Sequence, residues 1–540
     1  MKVGKISLSG EDAVGFVNSL LRPTAEEAAQ HNRHLDAVTE NVRIRRNKDG
    51  FHAEIADLDL SFLHNRKEVT IMTDKELAVE IARDVSRAGG HTYYVGGCVR
   101  DALLGVGNKD VDIEVHGITP QTLHRILEQY GHIKAQGASF GVLNIKGYHL
   151  DIAQPRKERS NGAGHKDFEV DVDPFIGTKE AAKRRDFTIN ALMQDVLTDQ
   201  IVDHYGGMED LKNGIIRHVD DQTFAEDPLR VLRAAQFAAR FHFTLAPETE
   251  TLCKKMDISG LSRERIAEEM TKALMKSDKP SVFFRVLNET GHLGEWFPEI
   301  QALIGVKQNP EHHPEGDVFE HTMNVLDVAA GRKSYIKNES HQKAFMIAAL
   351  CHDLGKPAAT TEIDGKILAI DHHLTGVDPA KTLLKRIYND NNIRRYVLNM
   401  VEKHMEPLVF YNNDASVKKY MRMFDTSVCP DDLIELSFCD NMGKGEHADL
   451  EASESKRQYE LEMLGIYHQR MSLDHVTGYD MIERGYCPGP QMKDMLDLAH
   501  KLQLAGIEKD PAIRQIMGMY KPEPQKKHRK HARTADDLER

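Results

Sequence analysis

The stretch YVGGCVRDALLGVGNKDVDIEV, residues 94–115, constrains the fold more than any other part of the chain. An apolar run meets Gly96-Gly97, a short helical pattern follows, and a second apolar run carries Asp110 and Asp112. In a strand, side chains two apart share a face at roughly 6–7 Å. The two carboxylates therefore project together, while Val111 and Ile113 pack on the opposite side. Carboxylates so placed repel unless a cation lies between them, and Mg2+ is the usual answer. The Gly-Gly turn opens a helix whose free N–H groups suit a polyphosphate, and Arg100, one turn in, adds a charge-assisted contact. A phosphate cradle one strand from a metal-holding Asp-x-Asp describes two-metal phosphoryl or nucleotidyl transfer. Such a site calls for a third carboxylate from a neighbouring strand. Asp151 in YHLDIAQPR is the candidate, with Glu114 and Glu158 behind it.

Around this motif the periodicity predicts a helix over 74–88, a strand over 92–95, a helix over 98–104, a strand over 110–115, a helix over 119–129 and a strand pair near 140–153. That is a mixed α/β unit. From Ala181 helical periodicity dominates to about residue 518, broken at NPEHHPEGD (309–317) and GYCPGPQ (485–491). Upstream, VRIRR and FHAEIADLDL flank NKDG as a hairpin would. The last twenty residues have no apolar face and read as disordered. The fold class is α+β, multidomain. A chain of 540 residues is too long for one core, so three or four domains are expected.

The formal charge of −13 argues against indiscriminate coating of nucleic acid. Local cationic sites remain at Lys183-Arg184-Arg185, at Arg230, Arg233 and Arg240, and in KKHRKHAR (526–533). No run of 18 apolar residues crosses a membrane, and the opening MKVGKISLSGEDAVGF lacks the apolar core of a signal peptide. Six cysteines without a CxxC pair indicate neither a disulfide framework nor a zinc ribbon, so a reducing cytoplasm is the expected compartment.

GGCVRDALLG and KDVDIEV, followed by KRRDFTINAL (183–192) and EDPLRVLRAAQFAARFHF (226–243), resemble the class II tRNA nucleotidyltransferase family, which comprises CCA-adding enzymes and bacterial poly(A) polymerases. The likeness runs from about residue 75 to 518 and includes ERIAEEMTKAL and TGYDMIERGYCPGPQMKDMLDLA. The resemblance implies a polymerase-β-like nucleotidyltransferase head, with Gly96 and Gly97 at the nucleotide. It also implies that Arg185 meets the nucleotide phosphates while Asp186 and Asn190 shape the pocket. Asp227 and Arg230, three apart on one helical face, can accept from the exocyclic amine of cytosine or adenine and donate to the ring. Uracil and guanine present a carbonyl there, so this pair selects C and A without a template. Arg233 then meets the triphosphate. A plainer reading makes Asp227 a helix cap with Pro228 at the first helical position. Where the family repeats an arginine, this chain has Gln236, which implies weaker triphosphate binding rather than lost chemistry.

Downstream, VFEHTMNVL (318–326), AALCHDLGKP (348–357), AIDHHLTGVD (369–378), VEKHMEP (401–407) and SFCDNMG (437–443) follow in order. His321, His352, Asp353, His372, His404 and Asp440 resemble the ligand set of an HD-type metal phosphohydrolase, and Lys356 can approach a phosphate. Such a set suits a transition metal or Mg2+, so Ni2+, Co2+, Mn2+ and Mg2+ are the candidates. His341 and His373 receive no role.

The expected organisation is an extension of unassigned role (1–73), a nucleotidyltransferase head (74–215), a helical base-selecting neck (216–315), an HD domain (316–447), a helical body (448–520) and a basic tail (521–540). The expected reaction is addition of C and A to tRNA 3′ ends from CTP and ATP with Mg2+, with phosphatase or phosphodiesterase activity in the HD domain. The partners are tRNA, CTP and ATP; no membrane or protein partner follows. A poly(A) polymerase, and a phosphohydrolase whose head only binds RNA ends, are the rival readings.

Overall fold

The computed structural model describes residues 72–521 except 108–109, 137–141 and 161–167, together with three strands nearer the N-terminus. Contacts divide the chain into two units, Met1–Leu77 and Ala78–Arg540. In the first, β1 (Ile6–Ser9), β2 (Val42–Asn47) and β3 (Gly50–Ile55) form an antiparallel sheet in the order β1-β3-β2. β2 and β3 are the hairpin expected around NKDG, with Asn47 opposite Gly50. The basic run 526–533 and the tail beyond Lys521 lie outside the described residues.

The helix Asp74–Arg87 crosses the division between the units. Beyond it, a seven-stranded sheet takes the order β12-β11-β4-β5-β8-β7-β6. Its strands are β4 (His91–Val95), β5 (Val111–His116), β6 (Ile133–Gln136), β7 (Val142–Ile145), β8 (Leu150–Ala153), β11 (Met193–Asp195) and β12 (Ile201–Val202). A separate hairpin joins β9 (Arg156–Ser160) to β10 (Phe168–Val172); at Glu158 only the backbone is described. β5 and β8 run parallel, and the other pairings are antiparallel. The expected helices and strands between 74 and 153 appear within two residues of their places.

One expectation is corrected. Residues 193–202 fall in the stretch read as helical, yet β11 and β12 extend the sheet there, with Met193 opposite Val95. Strands of three and two residues are too short to display a period of two.

A continuous hydrophobic core then runs from Val99 through Phe187, Phe237 and Leu350 to Leu504, so the expected boundaries at 215, 315 and 447 cross one shared core. Val476, Met481, Met495 and Ile516 belong to a second cluster. Among the described residues no helix is long and apolar enough to cross a membrane.

The helix Leu450–Met471 buries Glu460, at 1% exposure, with Lys456 3.8 Å away. Burial pushes the Glu460 carboxyl from 4.5 up to about 7 against the pull of Lys456. The folded state therefore favours the protonated acid, and its contribution to stability is lost as pH climbs from 4.5 to about 7. Glu460→Gln is expected to stabilise the protein at pH 8 by about 2 kcal/mol and to leave it unchanged near pH 4.5. Denaturant melts of both proteins across pH give the comparison; parallel curves would contradict it.

Candidate active sites

Pairing β5 in parallel with β8 sets Asp112 directly opposite Asp151. Asp110 lies one residue before β5 and lines the same cavity of about 280 Å³. Lys134, Asn144 and His149 line it as well. The Asn144 amide donates to Asp151. Burial and the Asp151 charge raise the Asp112 carboxyl from 3.8 to about 6, Asp110 adding to the effect and Arg185 opposing it. Three carboxylates converging from adjoining chain segments, one of them raised by its neighbours, fit a divalent cation. Glu114, next along the face, is buried and is a partner of His116 (2.9 Å) and Arg185 (3.4 Å). Burial raises its carboxyl, but the His116 hydrogen bond and the Arg185 guanidinium more than offset this and hold it below its ordinary value.

Gly96 opens the helix Gly97–Leu103 at φ +66°, a left-handed position that favours glycine. Arg185 crosses this turn: a Cβ on Gly96 would lie 3.1 Å from its Nη1. Arg185 thus spans from the Gly-Gly turn to Glu114 on the carboxylate strand. Arg100 sits differently from a phosphate contact. It is 3% exposed, donates to Asp101 at 2.6 and 2.8 Å and to Asn190, and stacks on Phe237 and Phe241. Its donors brace the turn from within.

Asn190 in turn donates to Asp186 (2.9 Å), which also accepts from Arg233 Nε at 2.7 Å. Burial pushes the Asp186 carboxyl up, yet Arg233 and the Asn190 hydrogen bond bring it below its usual range. Arg100, Asn190, Asp186 and Arg233 are therefore one chain of contacts tying the Gly-Gly helix to the helix Leu229–Phe241. Asp227 and Arg230 meet through the backbone, the Arg230 N–H donating to the Asp227 carbonyl at 3.0 Å, while their side chains turn to other partners. Arg230 donates to the carbonyls of Thr223 (2.6 Å) and Arg184 (2.8 Å). Asp227 accepts from the Leu229 N–H (3.1 Å) and from Arg265 (3.0 Å). The plainer reading is corrected by one residue: the helix begins at Leu229 with Pro228 at its N-cap, and Asp227 stands just before it, its carboxylate accepting the first helical N–H from outside. Gln236 is 2% exposed, its amide nitrogen without a hydrogen-bond partner.

In the second site six side chains converge from the ordered downstream motifs. Asp353, 1% exposed, lies 3.2 Å from His352, 3.3 Å from His372, 3.8 Å from His321 and 3.9 Å from His404. Asp440 is 2.9 Å from His321 and 3.8 Å from His352. The Nδ1 atoms of His352, His372 and His404 pair with the carbonyls of Ala349, Ala369 and Val401 at 2.7–2.8 Å. As donors there, they leave each Nε2 lone pair turned toward Asp353, which is how metal-binding imidazoles are set. Burial, with His352 and His372 alongside, lowers His404 to about 3, so its imidazole is neutral and free to donate a lone pair. The Nε2 of His352 is buried with no hydrogen-bond partner. These donors fit a divalent metal. Gly355 is required beside them, because a Cβ there would meet the His372 carbonyl at 2.0 Å.

Lys356 is 2.6 Å from Asp353 and 2.7 Å from Gln308. Residues missed from sequence complete the two sites. Glu315 pairs with His321 Nδ1 (2.7 Å) and His313 (2.9 Å); the cluster His-His-Pro-Glu inside a supposed loop break was the available signal. Arg265 lay within a motif noted only for its resemblance. Asn144 offered no sequence signal.

Three family models match in succession: a poly A polymerase head domain over residues 92–217, a probable RNA and SrmB-binding site of polymerase A over 242–304, and an HD domain over 318–429. The multifunctional CCA protein of Actinobacillus pleuropneumoniae serotype 5b (strain L20) is 41% identical over 319 residues, 58% of this chain and 74% of that protein. The chain belongs to the multifunctional CCA protein family. The family's member from Pasteurella multocida (strain Pm70) is 40% identical over 323 residues, 58% of this chain and 73% of its own. Among solved structures, a Thermotoga maritima CCA-adding enzyme complexed with tRNA has a TM-score of 0.54 at 19% identity, covering 86% of this chain and 98% of that one. The Bacillus stearothermophilus CCA-adding enzyme in complex with CTP has a TM-score of 0.56 at 22% identity, covering 83% and 98%. At such identities these two speak for the fold.

Proposed function

We propose that this chain adds C and A residues to tRNA 3′ ends: the terminal hydroxyl attacks the α-phosphate of CTP or ATP and pyrophosphate leaves. The observation that carries this reading is the registered pair Asp112 and Asp151 with Asp110 beside it, one strand from the Gly96-Gly97 turn. Mg2+ held by Asp110, Asp112 and Asp151 supplies charge neutralisation at the reacting phosphate. Arg185, over the turn, meets the triphosphate. Arg233, held by Asp186 through two of its nitrogens, is the second cation proposed for the triphosphate. Asn190 and Arg100 keep the turn and the helix Leu229–Phe241 in register. Support for the tRNA and nucleotide classes comes from the family and from relatives solved with tRNA, CTP and ATP. The proposed parts are head 74–215, neck 216–315, HD domain 316–447 and body 448–520, with 1–73 and 521–540 flanking them. The test is to incubate tRNA lacking CCA, and tRNA ending in CC, with single NTPs and to sequence the 3′ ends. Addition of A alone to both substrates makes the chain a poly(A) polymerase instead.

In the second site His321, His352, Asp353, His372, His404 and Asp440 hold a divalent metal, Ni2+, Co2+, Mn2+ or Mg2+, that supplies Lewis acidity for phosphoester hydrolysis. Glu315 orients the His321 ring, and Lys356 offers an ammonium to a phosphate oxygen. Phosphates at RNA ends are the proposed substrate class.

For base choice, Asp227 and Arg230 read the amine-bearing edge of C and A. A base-edge contact of this kind gives about 1–3 kcal/mol of discrimination. Asp227→Asn keeps an acceptor for the Leu229 N–H but changes the hydrogen-bond pattern offered to the base. It is expected to narrow CTP over UTP by roughly tenfold at about 1.4 kcal/mol per factor of ten. kcat/KM for the four NTPs measures it. Unaltered discrimination leaves Asp227 an acceptor for Leu229 and Arg265 only.

A further inference from the structure

We propose that His341, Cys429 and Asp432 form a further cation site, one that takes a borderline-soft divalent metal of the zinc class. Their ligand atoms lie within 4.8 Å of one another, outside both sites described above. His341 stands in the first turn of the helix Glu339–Cys351; Cys429 immediately precedes the helix Pro430–Met442 and Asp432 lies in its first turn. The three therefore come from two helix starts facing each other. Asp432 is 3% exposed and accepts the Tyr396 hydroxyl at 2.7 Å, which fixes its carboxylate. The His341 ring packs on Tyr396 with centroids 5.1 Å apart. Its Nδ1 is 3.3 Å from Asp432, yet this buried atom makes no hydrogen bond.

A plain hydrogen-bonded cluster is the competing account. In it the Cys429 thiol and the Tyr396 hydroxyl both donate to Asp432, and it leaves the His341 nitrogen beside them without a bond. What the plain account leaves unexplained is an imidazole nitrogen without a bond, converging on a carboxylate and a sulfur. Burial and the Asp432 carboxylate push the Cys429 thiol up to about 12, so without a cation the sulfur keeps its proton. When a sulfur–metal bond forms, that proton passes to solvent. Sulfur and imidazole together favour Zn2+ or Co2+ over Mg2+. His341 and Cys429 are only partly buried, so an ion can reach them and water can complete the coordination. The two helices it would clasp also lead to HD ligands: His352 and Asp353 follow the first, and Asp440 lies on the second. A cation there ties together the opposite ends of that helix pair.

Sulfur makes the test specific, since neither of the other proposed sites contains cysteine. The metal-free full chain is titrated with Co2+ and followed for the near-ultraviolet thiolate-to-cobalt charge-transfer band. The band is expected in the wild type and in Asp353→Asn, to be displaced by Zn2+, and to be absent in Cys429→Ser. His341→Ala is expected to weaken Co2+ binding by about tenfold or more. Circular dichroism confirms that each variant is folded, and Zn2+ should raise the wild-type melting temperature more than that of Cys429→Ser. No band in the wild type, or a band that survives in folded Cys429→Ser, overturns the proposal.

Discussion

Asp112→Ala folds and loses nucleotide addition, as does Asp110→Ala. Each substitution removes a carboxylate proposed to face a cation at the start of the central strand rather than a packing group, since Val111 and Ile113 carry the buried face of β5. Cations at such sites are worth several kcal/mol in the transition state, and about 1.4 kcal/mol is a factor of ten. The expected loss is therefore about a hundredfold or more, read as nucleotides added to tRNA lacking its 3′ end. Addition at a tenth of the wild-type rate in either variant would sink the two-metal assignment. A stability measurement separates this from simple damage. The folded Asp112 carboxyl is raised from 3.8 to about 6, so ionisation at pH 7 costs the cation-free fold, the cost building as pH climbs through that window. Asp112→Asn is expected to stabilise the metal-free protein at pH 7 by about 1 kcal/mol while abolishing addition. A variant that is both inactive and less stable would point to a structural role.

The same strand shows how far sequence carries. Alternation in DVDIEV placed Asp110 and Asp112 on one face because a strand's period of two is visible over six residues. The Gly-Gly turn was legible because only glycine meets φ +66° cheaply at the start of the next helix. The register of β5 with β8 was not legible. A helix and two further strands intervene between them, and only the pairing geometry sets Asp151 opposite Asp112. Nor could the sequence say where a long cation would turn. Arg100 reads as a phosphate ligand from its position in the helix, but Asp101 and Asn190 draw it inward. Asp227 and Arg230 were expected to share a helical face, yet Arg265, from 38 residues on, competes for the carboxylate. The six residues proposed as HD ligands were the easiest to single out, since five short motifs in order carry them and the structure brings all six together. Glu315 was hidden because its loop carries Pro and Gly, which read first as a break.

Asp353→Asn removes metal-dependent phosphohydrolysis and leaves nucleotide addition unchanged. Asp353 lies within 4 Å of His321, His352, His372 and His404 together, so the cluster has no centre without it. Alanine is the poorer probe. It strands the buried Lys356 ammonium, now 2.6 Å from Asp353, and breaking a buried pair this way costs about 3–5 kcal/mol. Asparagine keeps the shape and one acceptor oxygen while withdrawing the negative charge that a metal requires. Hydrolysis of 2′,3′-cyclic nucleotides and of p-nitrophenyl phosphate is measured with Ni2+, Co2+, Mn2+ and Mg2+, and nucleotide addition is assayed on the same preparations. The two activities are expected to separate because none of the head's proposed ligands, Asp110, Asp112 and Asp151, touches the HD cluster. If the wild type hydrolyses neither substrate with any of the four metals, the hydrolase reading fails. If Asp353→Asn also loses nucleotide addition while remaining folded, the shared core transmits between the two sites and their independence is lost.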